Sequence, residues 1–135
     1  MPSTAVIDAV EDHLAANWSA CPVIGLKTPG DRPANFQPFV VVQYPVANSE
    51  QLTIGAPGAN VWRTEGAFRI VLHFDKRQQM LGVGMAEQIA TLFRGKHIGA
   101  VRTLAPSPPV ADDSNDEGGY FRLSFAVPYH HDLIG

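Results

Sequence analysis

The longest regular pattern of apolar and polar positions runs from Val61 to Asp75. In VWRTEGAFRIVLHFD, Trp62, Thr64, Gly66, Phe68, Ile70, Leu72 and Phe74 fall on one side of a period-two repeat; Arg63, Glu65, Ala67, Arg69, Val71, His73 and Asp75 fall on the other. Alternation sustained over this length predicts a half-buried strand. Leu81, Met85, Ile89, Leu92 and Phe93 then recur at helical spacing, so the chain is predicted to turn over Lys76–Gln79 and lay a helix back across the apolar face of its own strand. Gly95 is placed to end that helix, with Arg94, Lys96 and His97 at the negative end of its dipole.

The flanking segments repeat these two periods. Ile7, Val10, Leu14 and Trp18 predict a first amphipathic helix over about Thr4 to Trp18, with Ser3 or Thr4 as its cap and Asp8, Glu11, Asp12 and Asn17 on its surface. Cys21-Pro22 ends it, because a proline pushes the preceding residue toward extended geometry. Gly25 to Pro38 is rich in Gly and Pro without a period and predicts a loop, followed by a strand over Phe39–Val46 with Pro45 at its edge or end. Residues 47–60 are over-long for a hairpin turn, and Leu52-Thr53-Ile54 within them has no local reason for exposure. They predict a projecting arm that extends the flanking strands. Ile98–Leu104 reads as a short strand and Tyr120–Tyr129 as the last, with Phe121, Leu123, Phe125, Val127 and Tyr129 on its apolar face and HHDLIG as a tail.

Together the elements predict one domain over residues 1–135, an α+β two-layer sandwich. Its mainly antiparallel four-stranded sheet carries two helices on one face, in the order α-β-β-α-β-β. The opposite sheet face would present Arg63, Glu65, Arg69, His73, Arg122 and Ser124 to water or to another subunit.

Charge and cysteine usage narrow the function. A net charge of −3 with no run of Lys or Arg gives nucleic acid no electrostatic footprint. The single Cys21 forms no internal disulfide and reads as a small apolar residue at the end of the first helix. The N-terminal MPSTAVIDAVEDHL lacks the basic start and apolar core of a signal peptide, and no run approaches a membrane span, so the expectation is a soluble cytoplasmic protein.

Candidate chemistry is sparse. Gly25, Gly30 and Lys27 lack the spacing and the following helix of a phosphate loop. Gly82-Val83-Gly84 at a helix start suggests anion binding, but without the rest of a dinucleotide fingerprint close helix–sheet packing is the better account. Asp112, Asp113, Asn115, Asp116, Glu117 and Gly118 resemble the start of a calcium loop, yet the twelfth position from Asp113 is Ser124, so a solvated acidic turn is expected. His130, His131 and Asp132 point alternately to opposite sides of an extended chain, which disfavours a shared metal. No Ser, Cys or Lys stands beside a base in a nucleophile pattern. The expectation is a protein that is not an enzyme and carries no metal or cofactor.

With the N-terminal helix, FQPFVVVQYPV, the long Gly-containing loop, VWRTEGAFRIVLHFD, GVGMAEQIATLFRG and IGAVRTL in view, the chain resembles the tail terminator proteins of long-tailed phages and gene transfer agents. The likeness spans nearly the whole chain and rests on layout, above all Gly66, the G-x-G helix entry and Phe93-Arg94-Gly95. The turn Lys76-Arg77-Gln78-Gln79 is more basic than the small or polar turn typical of the family. The resemblance implies a homo-oligomeric ring, a hexamer, at the head–tail junction of the virion, assembled in the host cytoplasm. Its partners would be the tail tube protein and a head connector or neck protein, with DNA only as cargo passing through the lumen and no membrane. On that reading Glu50, Gln51, Leu52, Thr53 and Ile54 form the arm's contact surface, and Arg63, Glu65, Arg69 and Arg122 face the lumen or a neighbouring subunit. Two rival readings are a head-side connector and a small-molecule-binding α+β domain with a pocket near His73 or His130.

Overall fold

The computed structural model describes residues 2–30, 37–111 and 120–134, and the acidic segment 112–118 weighed above as a calcium loop lies outside them. Helix α1 spans Thr4–Asn17, and after it come β1 (Val23–Ile24), β2 (Phe39–Gln51) and β3 (Val61–Asp75). A 3-10 turn, Lys76–Gln78, leads into α2 (Gln79–Phe93), followed by β4 (His97–Ile98), β5 (Val101–Thr103), β6 (Val110–Ala111) and β7 (Tyr120–Ile134).

The sheet corrects the predicted architecture. Among the described residues it has seven strands instead of four, in the order β1-β2-β3-β7-β5-β4, with β6 also on β7. It is a mixed, curled half-barrel, because β1 pairs with β2 in parallel. The element order is therefore α-β-β-β-α followed by four more strands, in place of α-β-β-α-β-β. The cause is length: β1, β4, β5 and β6 have only two or three residues each, too few for a period-two repeat to register. Ile98–Leu104 divides into a hairpin because Gly99 turns at φ +60. The supposed tail HHDLI continues β7 to Ile134, in register with β3 as far as Val61.

Strand β3 is the central member, paired along its length with β7 and from Trp62 to His73 with β2. Its inward residues Phe68, Ile70, Leu72 and Phe74 are buried, level with Val127, Phe125, Leu123 and Phe121 of β7. Tyr44 and Pro45 together oppose Phe68, since Gln43 pairs with Arg69 and Val46 with Ala67. This bulge bends β2 where proline removes a ladder donor. A Cβ at Gly66 would fall under 3.0 Å from the Val46 carbonyl and 2.8 Å from Tyr129 Oη, so the glycine makes room both for the bend and for the tyrosine across the ladder.

Both helices contribute to one core with these strands, α1 through Val6, Val10 and Leu14 and α2 through Met85, Ala86, Ile89, Ala90 and Phe93. The α1 stripe begins at Val6, one residue before the predicted Ile7, and that rotation brings Glu11 inside. Ser3 caps α1 through its carbonyl, which accepts from the amides of Val6 and Ile7 at 3.1 and 3.2 Å. Its side chain makes no cap bond. The C-terminus of α2 is tied down twice. His13 Nε2 meets the Leu92 carbonyl at 2.8 Å, and the Thr103 hydroxyl donates to the Phe93 carbonyl while accepting from the Lys96 amide. Gly95, at φ +59, turns the chain just beyond.

Candidate interaction surface

Beyond the bulge, β2 and β3 run on as a paired ladder to Gln51 and Trp62, and β7 accompanies them to Ile134. The outer part of the sheet is thus a three-stranded blade whose tip is residues 52–60. Side chains hold the tip in shape. The Leu52 amide donates to the Val61 carbonyl at 2.8 Å, and the Val61 amide donates to Thr53 Oγ1 at 2.9 Å. Asn60, 6 % exposed, donates to the Ala56 carbonyl at 3.3 Å and stands beside Thr53 Oγ1. Gln51 Nε2 donates to the Thr53 carbonyl at 2.8 Å. Inside this ordered turn Ile54 is 101 % exposed and Leu52 42 %, and Leu133 and Ile134 on β7 are exposed too. The tip thus holds large apolar side chains in water on a turn fixed by its own polar residues.

The outward face of the blade carries rows of charge. Glu50, Arg63 and Asp132 are neighbours across three strands, and Arg63 grips Asp132 through Nε at 2.8 Å and Nη2 at 3.0 Å. That pairing holds the Asp132 carboxyl below its usual range and raises the Arg63 guanidinium further. One row inward, Asn48, Glu65 and His130 are adjacent, with His130 Nε2 3.6 Å from Glu65. Against the same face His97 and Arg102 help line a small recess with Arg63, His130 and Asp132.

Nearer the start of α2 the outward face curls into an open concavity of about 400 Å³. Its lining includes Phe39, Val41, Gln43, Arg69, Val71, His73, Arg122 and Ser124. Phe39 and His73 stack at 4.3 Å with ring planes 7° apart, and Arg69 Nε donates to Gln43 Oε1 at 2.8 Å. None of the described lining residues is a carboxylate, so the paired acid and base that a pocket near His73 would need for catalysis are not brought together among them. Among the described residues no group of three or more His, Cys, Asp or Glu is arranged to hold a metal, and no helix is long and apolar enough to cross a membrane.

The predicted residues therefore fall in three places. Leu52, Thr53 and Ile54 belong to the tip and Gln51 ends β2 at its base; Glu50, Arg63 and Glu65 belong to the charge rows behind it; Arg69 and Arg122 line the concavity. Sequence reasoning weighed His130 and Asp132 as metal ligands on a tail and not as members of these charge rows, although the alternation of β7 continues through Tyr129, His131 and Leu133 and would have placed them outward. It also missed Met80 and Leu81, exposed at 83 % and 57 %, because Leu81 was assigned to the buried stripe of α2.

A second polar cluster lies inside, between α1, β2 and the turn after β1. Glu11 is 5 % exposed and accepts from Tyr44 Oη at 2.6 Å and from the Lys27 amide at 3.0 Å. Gly25 packs directly on its carboxylate, where any Cβ would collide. Burial, then the bond to Glu11, pushes the Tyr44 phenol far up. Lys27 Nζ reaches out to Asp12 at 2.7 Å and Asp8 at 3.2 Å. Cys21, buried and held by Trp18 Nε1 at 3.3 Å, has its thiol raised by desolvation, which suits packing and not reactivity. Set against known proteins, the sequence matches no family model and no curated protein.

Proposed function

We propose that this chain is a structural virion protein that forms a ring on the end of a phage-type tail tube, ends tube growth and offers the surface on which the head is joined. The observation that carries this reading is the arm: a three-stranded blade ending in exposed Leu52 and Ile54, with no carboxylate among the described residues that line the neighbouring concavity. Large apolar side chains held outward on a rigid projection suit insertion into a neighbour. The outward face behind them, with its paired Arg63 and Asp132 and its exposed Glu65 and Arg69, suits contact with water, a subunit or passing DNA more than burial in a core. The resemblance of layout to tail terminators supplies the particular assembly. Under it the ring is a hexamer, the tube protein lies on one side, and a connector or neck protein lies on the other.

The test is to add purified chain to growing tail tubes and to measure tube length and head joining. Wild type should stop elongation and yield joined particles, and Leu52→Asp with Ile54→Asp should do neither while keeping its circular dichroism and melting temperature. Normal particles from that variant would sink the reading. Binding to emptied heads but not to tubes would move the protein to the head side of the junction.

A further inference from the structure

One long edge of the blade has no strand beside it. Strand β1 covers β2 only at Val40 and Val41, and among the described residues nothing pairs with Val46 to Gln51 on the side away from β3. The phase of the ladder decides which groups that edge presents. The Leu52 amide bonds to the Val61 carbonyl, and hydrogen-bonded pairs alternate along an antiparallel ladder, so Glu50, Asn48 and Val46 turn their backbone groups to β3. Ala47, Ser49 and Gln51 turn theirs to the open side. Proteins guard such edges with lysine, proline, bulges or inward-pointing charge. Here Pro45 and the bulge stop short of the stretch, its one charge is Glu50 on the outward face, and Ala47, Ser49 and Gln51 bring none to the other.

The stretch is complementary to itself in one register. Two copies related by a two-fold axis through Ser49 pair Ser49 with Ser49 and Ala47 with Gln51, which joins the backbone groups that face the edge. On the outward face the same register sets Glu50 against Asn48, and Val46 against Leu52, both of them exposed large apolar side chains. Other registers lose this. An axis through Glu50 puts two carboxylates directly opposite, one through Ala47 or Asn48 carries the pairing into the bulge at Pro45, and one through Gln51 carries it into the tip.

We infer that β2 pairs edge to edge and antiparallel with β2 of a second copy of this chain, about a two-fold axis at Ser49. The contact is isologous, so it closes at two copies and does not rest on the ring reading.

Disulfide trapping in the full chain tests it. Asn48 and the second copy's Glu50 form a non-hydrogen-bonded pair, with Cα atoms about 4.5 Å apart and within disulfide range, whereas two copies of either residue lie diagonally at about 7–8 Å. Cys21 is buried, which leaves the introduced cysteine as the exposed thiol. Under mild oxidation a mixture of N48C and E50C should therefore link at least about ten-fold faster than either variant alone. Adding S49P to both chains should abolish that excess, since it removes a central donor from each copy, worth on the order of ten-fold in association. The monomer should tolerate S49P, because the Ser49 amide points away from β3, and an unchanged melting temperature checks this. A mixture that links no faster than its components overturns the inference, as does an excess that survives S49P in a chain of unchanged melting temperature. Tube capping by a chain that fails this test would leave the ring reading standing.

Discussion

Gly82 and Gly84 sit one residue apart on α2, and the same substitution at each should have opposite effects. A Cβ built at Gly82 falls closer than 3.0 Å to Cε1, Cζ and Cε2 of Phe74, whereas one built at Gly84 meets nothing within 4 Å. Phe74 is only 2 % exposed, so its ring cannot swing into solvent to yield. Replacing glycine by alanine in a helix gains about 1 kcal/mol at either site from backbone entropy. Overpacking a buried ring costs about 1–3 kcal/mol. Gly84→Ala should therefore stabilise by up to about 1 kcal/mol, and Gly82→Ala should be neutral to destabilising by about 2 kcal/mol. The two variants should differ by about 1–3 kcal/mol, or roughly 3–12 °C in Tm for a domain of this size. Urea unfolding gives the free energies directly, and an unchanged m-value would confirm that the denatured state is not the source. In a Phe74→Leu background the clash partner is gone, so the penalty at Gly82 should largely vanish. Equal stability of the two single variants would refute the packing account of the G-x-G entry.

Two further predictions concern charged side chains. Glu11→Ala removes the acceptor of Tyr44 Oη and of the Lys27 amide from a buried site and should cost about 2–4 kcal/mol, with Tyr44→Phe costing about 1–2 and the pair coupled by about 1–2 in a double-mutant cycle. Because the Tyr44 pKa is raised, its contribution is complete below the ordinary tyrosine value near 10 and is lost as pH climbs above it, so Tyr44→Phe should flatten the alkaline fall in stability measured by urea unfolding. Asp132 has the opposite sign: its pKa is depressed by Arg63, so its stabilisation is present above the ordinary carboxylate value near 4 and disappears as pH falls through the lower folded value. Asp132→Asn should be less stable than wild type at pH 7 and converge with it as pH falls below the ordinary carboxylate range. A constant offset across that range would show that Arg63 is not the cause.

What the sequence displays is whatever repeats. Strand β3 and the inner face of β7 were legible because alternation over many residues outlasts any local exception, and α2 was legible from Met85, Ile89 and Phe93. The arm was legible as an anomaly, since residues 47–60 were too long for the turn they should have been. The same reasoning fails where a residue is fixed by a partner distant in sequence. Glu11 looks like a surface carboxylate on any helical projection, and donors 16 and 33 positions later, the Lys27 amide and Tyr44 Oη, make its burial tolerable. Val23-Ile24 is a strand only because Val40 and Val41 offer an edge in parallel, a property of the assembled sheet.

The curl of the sheet shows how few residues decide such a global feature. Pro45 removes one ladder donor and Gly66 removes one side chain, and both act at nearly the same level of the β2–β3 pair. The bulge resets the alternation of β2, so that Val46, Asn48 and Glu50 face outward with Ala67, Glu65 and Arg63. Without the extra residue the arm would present its opposite face, and Glu50 could not stand level with Arg63 on the outward side. The bulge is thus what aligns the charge rows behind the tip, and the surface assigned to assembly depends on a backbone irregularity that hydropathy reads only as a proline near the end of a strand.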